Sequence, residues 1–192
     1  MGIFSSQNYI YQRKKALTSK ECEELLELFE TASNLHEVGK VGIEGRLDPK
    51  QKKCTEVLFD VRSLTQGHFK PVSKALYDAC ESYKKQYPYL DKTQRWTIAP
   101  TFKMQRYFPT EGYFTLHSEN EGGSDQNKMM AWMIYLNDVT DGGYTKFPAQ
   151  KVKFQPRRGT VLLWPAYWTH PHQGITSHSQ SKYILTGWYR YE

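Results

Sequence analysis

Cysteine is scarce in this chain: Cys22, Cys54 and Cys80 are the only three in 192 residues. They are odd in number and lack metal-ligand spacing, which excludes a disulfide framework and a cysteine-built metal site as organising features. Long apolar runs are missing as well. Stretches such as Val161 to Trp164 are far too short to span a bilayer, so no membrane helix is expected. Internal repeats, linkers and low-complexity tracts are also lacking, and one domain over residues 1–192 is the expectation, long enough to bury a core without staples. Met1-Gly2-Ile3-Phe4-Ser5-Ser6 has neither the basic start nor the apolar stretch of a secretory leader. With so little cysteine, this points to a reducing, cytoplasmic compartment. Met1-Gly2 with Ser6 does fit the loose N-myristoylation pattern, which is short enough to recur by chance.

Concentrated charge of one sign is absent too. The net charge of +6 comes from 26 basic and 20 acidic residues, and the basic ones are scattered, as at Arg13-Lys14-Lys15, Lys84-Lys85 and Arg157-Arg158. A nucleic-acid interface would gather them into a stripe with stacking aromatics; solvated faces are the simpler reading. Aromatics at 15% and charged residues at 24% fit a globular composition.

Thr18-Ser19-Lys20-Glu21 has the form of a capping box. Cys22, Leu25, Leu26 and Phe29 follow at helical spacing, predicting a helix over about 19–32. A second begins near Pro71, with Val72, Ala75, Leu76, Ala79, Cys80 and Tyr83 in phase. Both read as buttresses burying one stripe, with Cys22 and Cys80 facing the core. Between them, Glu37 to Gln66 lacks periodicity beyond a short strand such as Glu56 to Asp60, and is a candidate flap over a site or a surface excursion. From Trp96 onward the texture is β: Trp96–Tyr107, Met129–Leu136, Lys151–Phe154, Thr160–Trp164 and Lys182–Tyr191, broken by turns at Asp141-Gly142-Gly143 and Arg158-Gly159. Short strands without intervening helices predict a sandwich or jelly roll. The expected organisation is a helical buttress with a candidate flap over 1–95 and a β core over 96–192.

Chemistry concentrates in the C-terminal half. His117 and Glu119 are two apart, so on a strand both side chains point the same way, and His172 could return beside them. Two imidazoles and a carboxylate form a three-point face for a divalent metal that leaves the opposite positions open. Lys182, ten residues beyond His172, adds a fixed positive charge, as an iron enzyme with a dicarboxylate co-substrate would need. A His-x-Glu pair alone recurs by chance, and His170 competes with His172 on spacing alone. His36, His68 and His178 lie in polar stretches and are expected in solvent.

Taken in order, Arg106-Tyr107, His117-x-Glu119, Gly142-Gly143-x-Thr145-x-Phe147-Pro148, Pro156-x-x-Gly159, His172-x-Gly174, Lys182-Tyr183 and Trp188 resemble the iron and 2-oxoglutarate oxygenases of the prolyl 4-hydroxylase type. The likeness spans Phe102 to Tyr189 and is greatest to short bacterial and bacteriophage members; Leu17 to Cys22 is similar to the start of the helix before the core in many of them. The resemblance implies a mainly β fold with flanking helices, a double-stranded β-helix of cupin-like jelly-roll form behind N-terminal helices. It selects His172 over His170 and implies Fe(II) held by His117, Glu119 and His172. It also implies 2-oxoglutarate paired through its 5-carboxylate with Lys182 and the Tyr107 hydroxyl, Thr145 and Trp188 as walls of that pocket, O2 as the oxidant, and ascorbate as a candidate reductant. Tyr113 competes with Tyr107. Glu119 departs from the family's usual aspartate by one methylene.

The activity so implied is oxidative decarboxylation of 2-oxoglutarate to succinate and CO2 coupled to hydroxylation of an unactivated C–H bond, with proline in a peptide or protein as the first expected substrate. Tyr113, Trp132, Tyr167 and Trp168 are candidates for a peptide groove, although for any single one a place in the β core is the more ordinary expectation. If the protein is viral, its cytoplasm is that of the host cell. Two other readings stay open: an oxygenase acting on nucleic acid or a small molecule, and a non-catalytic metal-dependent binding module on the same fold. Oligomeric state is not legible.

Overall fold

The computed structural model describes residues 8–42 and 45–192. The Met1-Gly2…Ser6 pattern lies outside them. Among the described residues twelve strands and two α-helices follow in chain order: β1 (Tyr11–Arg13), α1 (Ser19–Thr31), β2 (Glu37–Val38), β3 (Lys52–Lys53), β4 (Thr55–Asp60), α2 (Lys70–Gln86), β5 (Trp96–Tyr107), β6 (Gly112–Tyr113), β7 (Lys128–Tyr135), β8 (Thr145–Phe147), β9 (Val152–Phe154), β10 (Thr160–Pro165), β11 (Gln173–Gly174) and β12 (Lys182–Tyr191).

The capping box forms: the Thr18 hydroxyl accepts from the Glu21 amide and the Glu21 carboxylate returns to the Thr18 amide. Helix α2 has Pro71 in its first turn, where the missing N–H costs nothing. Cys22, Leu25 and Phe29 of α1 and the Val72 to Tyr83 stripe of α2 are buried.

Seven strands make one antiparallel sheet in the order β1-β10-β7-β12-β5-β4-β2. Its outer face, with Met104, Phe102, Trp132, Ile134 and Leu185, packs on the helices in one apolar cluster. Alternation sends Tyr107, Ala131, Tyr135, Leu162, Trp164 and Ile184 to the inner face, against Phe147, Val152 and Phe154 of the small sheet β11-β8-β9. These two facing sheets are the double-stranded β-helix. Strands β1, β2 and β4 come from the first 95 residues, so that half supplies sheet edges as well as buttressing helices. The Glu37–Gln66 segment is built into the fold in its described part: β2 pairs with β4, and β3 pairs with β6.

Gly187 lies against the indole of Trp132; a Cβ there would meet Trp132 Cζ2 at 2.5 Å. Overpacking a buried contact costs about 1–3 kcal/mol, so Gly187→Ala is expected to lower the melting temperature by about 2–12 °C in a chain of this size. Calorimetry that finds the midpoint unmoved would show that the indole can step aside.

Candidate metal centre and its cavity

His117 and His172 face each other as an isolated antiparallel bridge, His117 N–H donating to His172 C=O at 3.0 Å and His172 N–H to His117 C=O at 2.9 Å. A bridge of this kind makes the two side chains cross-strand neighbours, and their ring centroids are 4.4 Å apart. Glu119 is placed by its own N–H, which donates to the Ala166 carbonyl just past β10. One ligand atom from each of His117, Glu119 and His172 lies within 4.8 Å of the others.

Protonation of the rings follows from their partners. His117 Nδ1 lies 3.0 Å from the Thr115 carbonyl and His172 Nδ1 3.2 Å from the His170 carbonyl. A carbonyl only accepts, so each Nδ1 carries the hydrogen and each Nε2 turns toward the carboxylate. Those Nε2 atoms stand 3.9 and 3.1 Å from Glu119 Oε1. The other oxygen, Oε2, accepts from Trp188 Nε1 at 2.8 Å. Trp188 thus holds the longer glutamate so that one oxygen is left for the histidines. Burial, reinforced by the neighbouring His172, pushes His117 down to about 4. Burial drives Glu119 upward, but its contact with His172 outweighs this and holds the carboxyl far below its usual range. Two imidazole nitrogens and an anionic oxygen, each pinned from behind by a second partner, fit a divalent metal.

His170, the spacing competitor, is turned away: its Nε2 contacts the Asn8 carbonyl and its Nδ1 the Thr169 hydroxyl. His68 and His178 are exposed as expected, but His36 is half-buried, stacked on Phe29 with ring centroids 4.4 Å apart. That partner is seven residues upstream and invisible to local polarity.

A cavity of about 210 Å³ opens over the trio, lined among others by Tyr107, Tyr113, Thr145, Lys182 and Trp188. Lys182 is 5% exposed. Its ammonium meets the Gly143 carbonyl at 3.3 Å and lies 4.7 Å from the centroid of the Tyr107 ring. Burial pulls it down to about 8. No carboxylate pairs with it among the described residues, so a buried cation faces a cavity that can admit an anion.

Tyr107 stands differently from the donor role expected of it. Its hydroxyl donates to Gln105 Oε1 at 2.9 Å, and the Gln105 amide is oriented because its Nε2 donates to Glu56 at 2.8 Å. The phenol proton is committed, and it is the ring that faces Lys182. Thr145 has the opposite arrangement: Tyr135 donates to Thr145 Oγ1 at 2.6 Å, which leaves the threonine proton a weak contact with Met133 Sδ at 3.6 Å.

Of the four aromatics considered for a groove, Tyr113 lines the cavity and stacks on His117 with centroids 3.7 Å apart. Trp132 is fully buried under the helices, Tyr167 is half-buried, and Trp168 is 80% exposed. Sequence reasoning missed Lys52, Glu56, Lys103 and Gln105 on the cavity side. The three on β4 and β5 alternate like any half-buried strand, and only their pairing brings them together.

Residues 102–190 match the sequence model of the 2OG-Fe(II) oxygenase superfamily. No curated protein sequence matches the chain. Among solved structures, a viral collagen prolyl hydroxylase from Paramecium Bursaria Chlorella virus-1, in its 2OG complex, superposes with a TM-score of 0.67 at 21% identity over 96% of this chain and 97% of that one. A Pseudomonas putida prolyl-4-hydroxylase gives 0.69 at 16% over 97% and 95%. A prolyl hydroxylase from Trichoplax adhaerens, in complex with a hypoxia inducible factor peptide fragment, gives 0.71 at 17% over 96% and 84%. At these identities the likeness is one of fold.

Proposed function

We infer that this chain, whose residues 102–190 match the sequence model of the 2OG-Fe(II) oxygenase superfamily, is an Fe(II)- and 2-oxoglutarate-dependent dioxygenase that hydroxylates a proline residue in a peptide or protein. The observation that carries the reading is the pairing of a pinned His-Glu-His face with a buried lysine in one cavity. Iron, when bound, would supply the centre at which O2 is reduced by 2-oxoglutarate, one oxygen atom ending in succinate and the other in the hydroxylated product, with CO2 released. Everything else falls to the protein.

His117 Nε2, His172 Nε2 and Glu119 Oε1 would take one face of the metal and leave the other to co-substrate and oxygen. Lys182 would take the 5-carboxylate of 2-oxoglutarate, because a charge-assisted hydrogen bond to a carboxylate is roughly twice as strong as a neutral one. Thr145, already an acceptor from Tyr135, has its proton available as the second donor. Tyr107 would support the ammonium through its ring face. Trp188 would keep Glu119 from swinging away. Tyr113, flat against His117, is the aromatic surface nearest the metal face on which a proline ring could lie. The prolyl substrate itself is supported by the fold shared with three prolyl hydroxylases.

Anaerobic titration of the apo-protein with Fe(II) and 2-oxoglutarate tests the reading. A visible charge-transfer band is expected, discharged by oxygen with stoichiometric succinate. If no band forms, the metal-dependent binding module takes its place.

A further inference from the structure

The inner face of the large sheet carries more positive charge than the oxygenase chemistry uses. Strands β5 and β12 pair Lys182 with Tyr107, Ile184 with Gln105 and Thr186 with Lys103. Lys103 therefore stands four residues along the strand from the Lys182 rung, about 13 Å at strand rise. Its ammonium sits on Glu56 while that of Lys182 sits on the Gly143 carbonyl, so the two cations serve different partners. Across from Gln105, on β4, is Glu56, 6% exposed. Glu56 Oε1 accepts from Lys103 Nζ at 2.7 Å, and Oε2 accepts from Lys52 Nζ at 2.7 Å and Gln105 Nε2 at 2.8 Å. Both oxygens are occupied.

Two ammonium groups thus share one carboxylate. Lys52 is 4% exposed and has a further acceptor in the Lys40 carbonyl at 3.2 Å; its ammonium lies 5.7 Å from the centroid of Tyr113, the ring that stacks on His117. Lys103 has Glu56 alone among the described residues, and its ammonium carries three donors. Its side chain keeps 23% of its exposure, and it lines the cavity together with Lys40 and Lys52. The other charged wall is already balanced, since Lys128 pairs with Asp125 at 2.9 Å and rests on the Trp188 ring, while Glu121 lies on the exposed rim. A partly dry cation in excess of its counter-charges is costly unless an anion completes it. A metal cannot serve, and on the oxygenase reading 2-oxoglutarate belongs to Lys182.

We propose that Lys103, held with Lys52 around Glu56, determines specificity by selecting a substrate with a carboxylate close to the carbon that is hydroxylated. This rests on the oxygenase reading for what happens next, but the subsite is a property of the wall itself. The carboxylate has two sources, an acidic side chain beside the target residue in a peptide, or the α-carboxylate of a free amino acid.

Calorimetric binding to protein loaded with Mn(II) and N-oxalylglycine separates them without turnover. One arm compares blocked proline peptides differing only in Glu or Gln next to the proline; the other compares free L-proline with L-prolinamide. In at least one arm the carboxylate member is expected to bind about tenfold or more tightly. Lys103→Met should abolish the preference and Lys103→Arg retain it. The methionine variant leaves Lys52 and Glu56 as a one-to-one pair, so its melting curve should stay cooperative. Equal or undetectable binding of both members in both arms, or a preference that survives in Lys103→Met, overturns the proposal. Titration of N-oxalylglycine alone reports the oxygenase reading separately: wild-type protein that prefers the carboxylate ligand but takes no N-oxalylglycine keeps the subsite and loses the oxygenase.

Discussion

His172→Ala is expected to abolish Fe(II) binding and succinate formation while leaving the circular dichroism of the protein unchanged. The loss should exceed the ~10–100-fold typical of removing an outer partner of a metal site, because one of three donor atoms disappears outright. Folding should survive, since the backbone bridge to His117 uses only main-chain groups. His170→Ala is the matched control. His170 is equally buried, at 4% exposure, but its ring serves Asn8 and Thr169, so the variant should lose some stability and keep its metal. Equal loss of iron in the two variants would refute the assignment of His172.

Lys182→Met should move binding and stability in opposite directions. Truncating one partner of a buried charge pair costs about 2–5 kcal/mol, so affinity for 2-oxoglutarate should fall by about 30-fold or more. The metal-free protein should meanwhile become more stable at pH 7. Burial lowers Lys182 from 10.5 to about 8, so at neutral pH the folded protein keeps a desolvated charge, at a cost on the order of 3 kcal/mol. The pH dependence has a definite sign. Between about pH 8 and 10.5 the unfolded chain binds more of this proton than the folded one, so stability from this group rises with pH across that window. Co-substrate binding runs the other way, weakening by up to tenfold per unit above about pH 8 as the ammonium loses its proton. Calorimetric titration of N-oxalylglycine from pH 7 to 9.5, with melting curves of both proteins, checks each sign. A pH-independent affinity would remove Lys182 from the pocket.

Local signals explain what could be read in advance. The capping box and the apolar stripe of α1 are contained within a few residues, and the helix runs Ser19–Thr31, close to the span predicted for it. Strands β5 and β12 occupy the spans Trp96–Tyr107 and Lys182–Tyr191 expected from their β-rich composition and flanking turns. The trio is ordered in sequence, yet its geometry is non-local. His117 and Glu119 lie in an irregular segment tied down by a reciprocal pair of main-chain hydrogen bonds between His117 and His172 and by the Glu119 and Asn120 amides on the Ala166 carbonyl, not in a regular strand. The Glu56 network was illegible for the same reason. Lys52, Glu56, Lys103 and Gln105 look like ordinary solvated residues until β4 and β5 are paired. The donor role expected of Tyr107 omitted a side chain two residues away, because nothing in Gln105 itself announces that Glu56 fixes its amide.

The main-chain bridge between His117 and His172 has a consequence for metal selectivity. Because hydrogen bonds set the spacing of the two imidazoles, the site is preorganised and binding a cation need not be coupled to folding, unlike a zinc finger. A rigid face of two nitrogens and one oxygen follows the ordinary affinity series of divalent ions, in which cobalt, nickel, copper and zinc all outbid ferrous iron. Loading of the inferred site with iron would then be governed by which ion the surroundings supply, and zinc or copper reaching it first would leave a well-folded protein of the wrong metallation.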